Sequence, residues 1–243
     1  MKQSRIFVPS LGPSSWRAFL ADPFLHWRRE KSAWELAVSW EAAAKTDSGM
    51  PIEMVRALTS NPDLMGAELL LAVPEYRVKL DDDRRPSQSD LWAILWTPKG
   101  HVSVTVEAKA GEEFDKTIEQ WLKQESGGKE RRLAFLTKEL ALSGPPPDFI
   151  RYQLVHRTVA AVLEARRCHF ELALMLVQSF DESPSSWSDY EKFANLFGIN
   201  AVRGEITGPR QIDDISLYLG WIDSPKATDA KAVCPAPKRY TSS

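Results

Sequence analysis

Two acidic residues and a lysine are spaced so that they could bind a divalent cation and act on a phosphodiester. Asp90 directly precedes the β-rich run LWAILW, and Glu107 and Lys109 end the next run, VSVTVEAK. Carboxylate oxygens are preferred ligands of Mg²⁺, and a lysine beside such an ion could hold a water or a phosphate oxygen. An ordinary surface salt-bridge cluster explains the same spacing, so the three residues alone leave both interpretations open.

A β-hairpin is needed to bring these three side chains together. The two runs flank Thr97–Gly100, whose Pro and Gly make a turn between β-rich segments, and this pattern predicts a hairpin. With this turn, or with a tighter one, the antiparallel register sets Asp90 opposite Glu107. Because side chains alternate along a strand, Glu107 and Lys109 share a face with Asp90.

The two faces of the predicted hairpin differ in polarity. One face is wholly apolar and is expected to point into the core; it carries Leu91, Ala93, Leu95, Val102, Val104 and Val106. The Asp90 face is more polar, which predicts that its carboxylates lie on a partly open surface. Like charges that face each other destabilise a sheet, and a divalent cation would compensate for them.

The remaining elements predict an α/β (α+β) domain with a central mixed sheet flanked by helices. Helical spacing and capping signals predict helices at about 30–44, from about 51, and at about 115–124, 129–142, 149–166 and 188–197. Besides the hairpin, strands are predicted at 75–80, 172–180 and 215–222, and Pro74 is expected to end the apolar segment 64–72.

Length and composition predict one domain over 1–222, with its core at about 31–222, and a disordered tail over 223–243. No run of about 18 apolar residues occurs, which argues against a membrane span. Two cysteines without CxxC spacing fit a reducing cytoplasm. The formal net charge of −2 is unusual for a dedicated nucleic-acid binder, so any such function has to rest on the site. A homo-oligomer is compatible with the sequence.

One predicted strand follows an acidic residue, and the next strand ends with E-x-K. This pattern resembles the motif of the PD-(D/E)XK nuclease superfamily, which has a restriction-endonuclease-like core. SQSDLWAILW and HVSVTVEAKAGEEF carry this likeness. The region 31–222 also resembles an uncharacterised bacterial family assigned to that superfamily, through RPSQSDL, VTVEAKAGEEFDKTIEQWL, RYQLVHRTVAAVLEA and MLVQSF. Ser89 stands where the superfamily motif often has Pro, a position that varies widely.

The resemblance implies specific roles for these residues. Asp90, Glu107 and the backbone carbonyl of Ala108 would hold Mg²⁺ or Mn²⁺, and Lys109 would orient or activate the attacking water. Many members add an acid from the first helix, for which Glu35 is the matching candidate; a simple polar position on an amphipathic helix is the alternative.

A later helix, at 149–166, could contribute substrate contacts. Gln153, His156 and Arg157 lie within one turn and could face the site. The resemblance implies that Gln153 or Arg157 contacts phosphate, while helix capping and salt bridging remain the alternative.

Three functions follow from this sequence. The first is a Mg²⁺- or Mn²⁺-dependent nuclease that acts on nucleic acid, DNA more than RNA. The second is a catalytically silent binding or scaffold protein with the nuclease fold, which the slightly acidic net charge favours. The third is a hydrolase of a small phosphodiester. No GxGxxG, GxxxxGK[ST] or GxSxG motif occurs, which argues against nucleotide-cofactor, P-loop and serine-hydrolase functions.

Overall fold

A computed structural model describes residues 10–20, 22–80, 85–123, 127–181 and 185–227. A 3₁₀-helix at Pro13–Phe19 precedes seven α-helices within these ranges: α1 (Pro23–His26), α2 (Ser32–Ala43), α3 (Ile52–Ser60), α4 (Ile118–Leu122), α5 (Lys129–Glu139), α6 (Tyr152–Arg167) and α7 (Trp187–Asn195). The strands are β1 (Glu68–Val78), β2 (Ser87–Thr97), β3 (Gly100–Lys109), β4 (Leu172–Ser179), β5 (Ile206–Ile212) and β6 (Ile215–Asp223).

The six strands form one mixed sheet in the order β1-β2-β3-β4-β6-β5. β1, β2 and β3 are antiparallel neighbours, β3, β4 and β6 run parallel, and β5 returns antiparallel to β6. The parallel β3–β4 pair needs a crossover connection, and α4, α5 and α6 lie in it. The predicted α+β class with a mixed sheet flanked by helices is therefore confirmed.

Helices bury both faces of this sheet. On one face, Trp40 of α2 and Met54 of α3 belong to the same buried cluster as Val104 of β3. On the other face, Val159 of α6 is buried in a cluster with Met175 of β4. The six apolar hairpin residues predicted to point into the core are all fully buried in the cluster beneath α2 and α3.

One sequence prediction about the strands is wrong, and one strand was not predicted. Pro74 does not end an apolar segment but lies inside β1, where it is paired with Leu91. β1 is an edge strand, and an edge strand tolerates proline because the missing N–H can face away from the neighbouring strand. β5 was not predicted because its sequence, ITGPRQI, is polar and contains Gly208-Pro209. The pairing of β5 with β6 shifts register between Thr207 and Arg210.

The end of the described chain continues the fold beyond the last strand. β6 ends at Asp223, and the backbone N–H of Ser224 donates to the Ser179 carbonyl at 2.7 Å. Most of the predicted tail, residues 228–243, lies outside the described residues. Among the described helices, none combines the length and apolar character that crossing a membrane requires.

Candidate functional site

The β2–β3 hairpin has the predicted register up to the row that carries the two acids. Trp96 pairs with His101, and the ladder continues to Leu91 opposite Val106. At the next row the backbone pairing stops, and Oδ2 of Asp90 instead accepts a hydrogen bond from the Ala108 N–H at 2.7 Å. The strands therefore separate where Asp90 and Glu107 face each other, and a carboxylate takes the place of a backbone partner.

The alternation predicted that the acid-bearing face is partly open, and this prediction is wrong. Glu107 and Lys109 are 2% and 4% exposed, while Asp90 is half-buried. The cover is α6, which packs over β3 so closely that Thr105 Oγ1 donates to the Arg157 carbonyl at 3.1 Å. Alternation identifies which residues share a face, but it does not show which helix covers that face.

Three side chains donate hydrogen bonds to the Glu107 carboxylate. Its Oε1 accepts from Lys109 Nζ at 2.9 Å and from Gln153 Nε2 at 2.6 Å, and its Oε2 accepts from Arg157 Nε at 2.7 Å. Burial by itself would raise the pKa of Glu107, but the positive charges of Lys109 and Arg157 outweigh it and lower the pKa below its ordinary value. Glu107 is therefore an ionised carboxylate in a buried setting.

Gln153 ties the lysine to this carboxylate. Its Oε1 accepts from Lys109 Nζ at 3.1 Å and from the Asp115 N–H at 3.2 Å, while its Nε2 donates to Glu107. The Lys109 ammonium also lies 4.9 Å from the ring centroid of Phe114. Lys109 is thus fixed in one position by a carboxylate, an amide and an aromatic ring.

Arg157 is held on its other side by Ser87 and His156. Its Nη1 donates to Ser87 Oγ at 3.0 Å, and Ser87 Oγ lies 2.8 Å from His156 Nδ1. A guanidinium has no acceptor, so Ser87 Oγ accepts from Arg157, and its own hydrogen is free to be donated to His156 Nδ1 in the tautomer protonated at Nε2. Burial, followed by the charges of Arg157 and Arg132, keeps the pKa of His156 well below its ordinary value, in agreement with a neutral ring.

Glu75 is a member of this site that sequence reasoning missed. Pro74 pairs with Leu91 and Tyr76 with Ser89, so Glu75 is set opposite Asp90 on the neighbouring strand. Its backbone is left-handed, with φ of 52°, an uncommon conformation for a residue other than glycine. The register of β1 would have revealed Glu75, but the sequence prediction started a strand at this residue instead of carrying β1 through Pro74.

The ionised forms of Glu75 and Asp90 have no positively charged partner in direct contact within the described residues. Burial, followed by the charge of Asp90, raises the pKa of Glu75 to about 8, and its Oε2 accepts from Gln88 Nε2 at 2.7 Å. Burial, followed by the charge of Glu107, raises the pKa of Asp90 to about 7. Within the described part of the chain, neither Glu75 nor Asp90 forms a salt bridge.

The structure gives Glu35 a different set of partners. Glu35 lies on α2 and is 1% exposed. Its Oε1 accepts from the Glu30 N–H at 3.1 Å, and its Oε2 accepts from the Ala227 N–H at 2.7 Å. Asp90, Glu107, Lys109, Gln153 and Arg157 are brought together by the contacts above, whereas the contacts of Glu35 hold the segment after β6 against α2.

The donor set suits a hydrated Mg²⁺ or Mn²⁺. No group of three or more His, Cys, Asp or Glu side chains that could hold a metal ion by itself occurs within the described ranges. Mg²⁺ does not require one, because it is usually bound through one or two carboxylates and keeps several waters. Asp90 and Glu107 supply two carboxylates. The N–H and C=O of a strand residue project to the same side, so the Ala108 carbonyl belongs to the side of β3 on which the Ala108 N–H donates to Asp90.

Comparisons with known proteins give one result. The family model described as Domain of unknown function (DUF6946) matches residues 9–226, nearly the whole chain, so the chain belongs to that family. No curated protein and no solved structure matches this chain significantly.

Proposed function

We propose that this member of the DUF6946 family is a Mg²⁺- or Mn²⁺-dependent phosphodiesterase of the PD-(D/E)XK type that cleaves nucleic acid, DNA more than RNA. The observation that supports it most is the meeting of Asp90, Glu107 and Lys109 at the point where β2 and β3 separate. A bound cation would favour the ionised form of Asp90, which burial and the charge of Glu107 otherwise disfavour. We place the activity in the cytoplasm, since a sequence with two cysteines and no CxxC spacing fits a reducing compartment.

In this proposal each residue has a defined task. Asp90, Glu107 and the Ala108 carbonyl would hold the ion, which supplies polarisation of the phosphate and a lowered pKa of its bound water. Lys109 orients the attacking water through its ammonium group. Gln153 keeps that ammonium in place, because its amide oxygen accepts one of the three hydrogens of Lys109 Nζ.

Cleavage of plasmid DNA, single-stranded DNA and RNA tests the proposal, in Mg²⁺, in Mn²⁺ and in EDTA. Glu107→Gln and Lys109→Met should each lower the cleavage rate by at least about 100-fold, since each removes a group that acts at the reacting phosphate. Glu164→Gln is a matched control, because Glu164 is also buried and paired with an arginine, Arg167, but on another part of α6. Wild-type rates in the two site variants would contradict the proposal.

A non-catalytic binding or scaffold protein is the second candidate, and one observation favours it. Glu107 already accepts hydrogen bonds from Lys109, Gln153 and Arg157, so it is stable without a metal ion. This candidate predicts no cleavage of any substrate, a chromogenic small phosphodiester included, and a stable complex recovered by pull-down from the native host. Cleavage of the chromogenic compound alone would instead indicate a small-phosphodiester hydrolase.

A further inference from the structure

Arg157 is already bonded to the carboxylate that would take a metal ion. Its Nε lies 2.7 Å from Glu107 Oε2, and both side chains are almost completely buried. Lys109 and Gln153 donate to the other oxygen of Glu107. Protein donors therefore satisfy both oxygens of Glu107. Lys109 and Gln153 bind Oε1, and the positively charged Arg157 binds Oε2.

The guanidinium of Arg157 has a second attachment that does not depend on Glu107. Nη1 donates to Ser87 Oγ at 3.0 Å and lies 3.4 Å from His156 Nδ1. The contacts with Ser87 and His156 use Nη1, whereas the bond to Glu107 uses Nε. Arg157 can give up Glu107 and still be held beside the site by Ser87.

We propose that Arg157 is a built-in counter-ion of Glu107 that a divalent cation must displace, with Ser87 and His156 retaining the displaced guanidinium beside the site. This inference rests on the proposed function and adds a control of metal entry to it. The physical reason is repulsion, because a guanidinium and a divalent ion on one buried carboxylate are like charges in a setting of low dielectric. Arg157 therefore opposes the first metal ion and stabilises Glu107 while no metal is bound.

Calorimetric titration of the free protein with Mn²⁺ tests the inference without any substrate. Arg157→Gln retains a hydrogen-bond donor and removes the charge, and it should bind Mn²⁺ at least about tenfold more tightly than wild type. Arg166→Gln is the matched control; Arg166 is also on α6 and pairs with Glu139 and Asp213, away from the site. Its Mn²⁺ affinity should equal that of wild type.

The outcomes separate this inference from the proposed function. Equal Mn²⁺ affinity in wild type and Arg157→Gln would overturn the inference and leave the proposed function standing. Mn²⁺ binding by Arg157→Gln alone supports the inference, since it means that Arg157 blocks the ion at the concentrations used. No binding by either protein would overturn both. Adding Glu107→Gln to Arg157→Gln should abolish the gain, which places the ion on Glu107.

A second measurement avoids dependence on a variant that loses a buried ion pair. In the wild-type protein, the Nε–H of Arg157 should give a slowly exchanging ¹⁵N-edited NMR signal, because it is bonded to buried Glu107. Saturating Mg²⁺ should shift that signal and accelerate its exchange by at least about tenfold, while the Arg166 signal stays unchanged. An unchanged Arg157 signal in protein that binds Mg²⁺ would overturn the inference.

Discussion

Removing the charge of Asp90 should stabilise the metal-free protein at neutral and alkaline pH. Four charged neighbours surround this carboxyl: Glu75 on β1, Glu107 and Lys109 on β3, and Arg157 on α6. Burial and Glu107 raise its pKa from 3.8 to about 7 in the folded state. The folded state then holds a proton that the unfolded chain has released, so wild type loses stability as the pH rises from about 4 to about 7.

The size of the effect follows from that shift. About three pKa units at about 1.4 kcal/mol each give at most about 4 kcal/mol, and solvent screening of this partly exposed side chain reduces this to roughly 2 kcal/mol. Asp90→Asn keeps an oxygen that can accept from the Ala108 N–H, and it has no charge to bury. At pH 8 the variant should exceed wild type by roughly 2 kcal/mol in free energy of unfolding, and at pH 4 the two should be nearly equal.

Urea unfolding followed by tryptophan fluorescence, in EDTA at pH 4 to 8, measures this difference. Asp63→Asn is a control of opposite sign, because hydrogen bonds from Lys99 and then Tyr218 lower the pKa of Asp63. The charged form of Asp63 stabilises the fold, and this contribution is lost only as the pH falls below the ordinary carboxyl value of 3.8 and through the lowered pKa. Asp63→Asn should therefore destabilise the protein by a nearly constant amount from pH 8 to pH 4. A pH-independent difference between wild type and Asp90→Asn would refute the reasoning, since Asp90 would then carry no uncompensated charge.

Three further predictions concern the supporting residues. Glu35→Gln should weaken the bond to Ala227 and lower the free energy of unfolding in urea by about 1 kcal/mol. The cleavage rate should stay within about twofold of wild type, and a large loss of cleavage would mean that Glu35 takes part in catalysis. Gln153→Ala frees Lys109 on one side, so kcat should fall at least about tenfold with little change in KM, and an unchanged kcat would exclude this positioning role. Gly220→Ala would bring a Cβ within 2.7 Å of a leucine on β4, which predicts a loss of about 1–3 kcal/mol in urea unfolding; wild-type stability would contradict the packing.

The hairpin was predictable because its register is fixed by local chemistry. The turn at Thr97–Gly100 and two β-rich runs of matched length allow one antiparallel register, and a slip by one residue would turn the apolar face outward. Asp90, Glu107 and Lys109 could therefore be assigned to one face from the sequence alone. The later helix with Gln153 and Arg157 was also found, since its apolar spacing is long and regular.

The rest of the site depends on tertiary contacts that no local pattern encodes. The cover over Glu107 comes from α6, which is far along the chain, so alternation could not reveal that this face is buried. Glu75 joins the site through the register of an edge strand that contains Pro74, a residue that normally indicates a strand end. The partners of Glu35 include Ala227, which is 192 residues away along the chain.

The measurement that tests the central claim most directly is the anomalous scattering of a crystal grown with Mn²⁺. We expect an anomalous difference peak within coordination distance of Asp90 and Glu107, about 2.0–2.3 Å from a carboxylate oxygen of each, and no peak at this position in Asp90→Asn. The Ala108 carbonyl should face the same ion. A well-ordered crystal of wild-type protein with no peak at these carboxylates, or with Mn²⁺ bound only elsewhere, would contradict the claim that this site holds a catalytic metal ion.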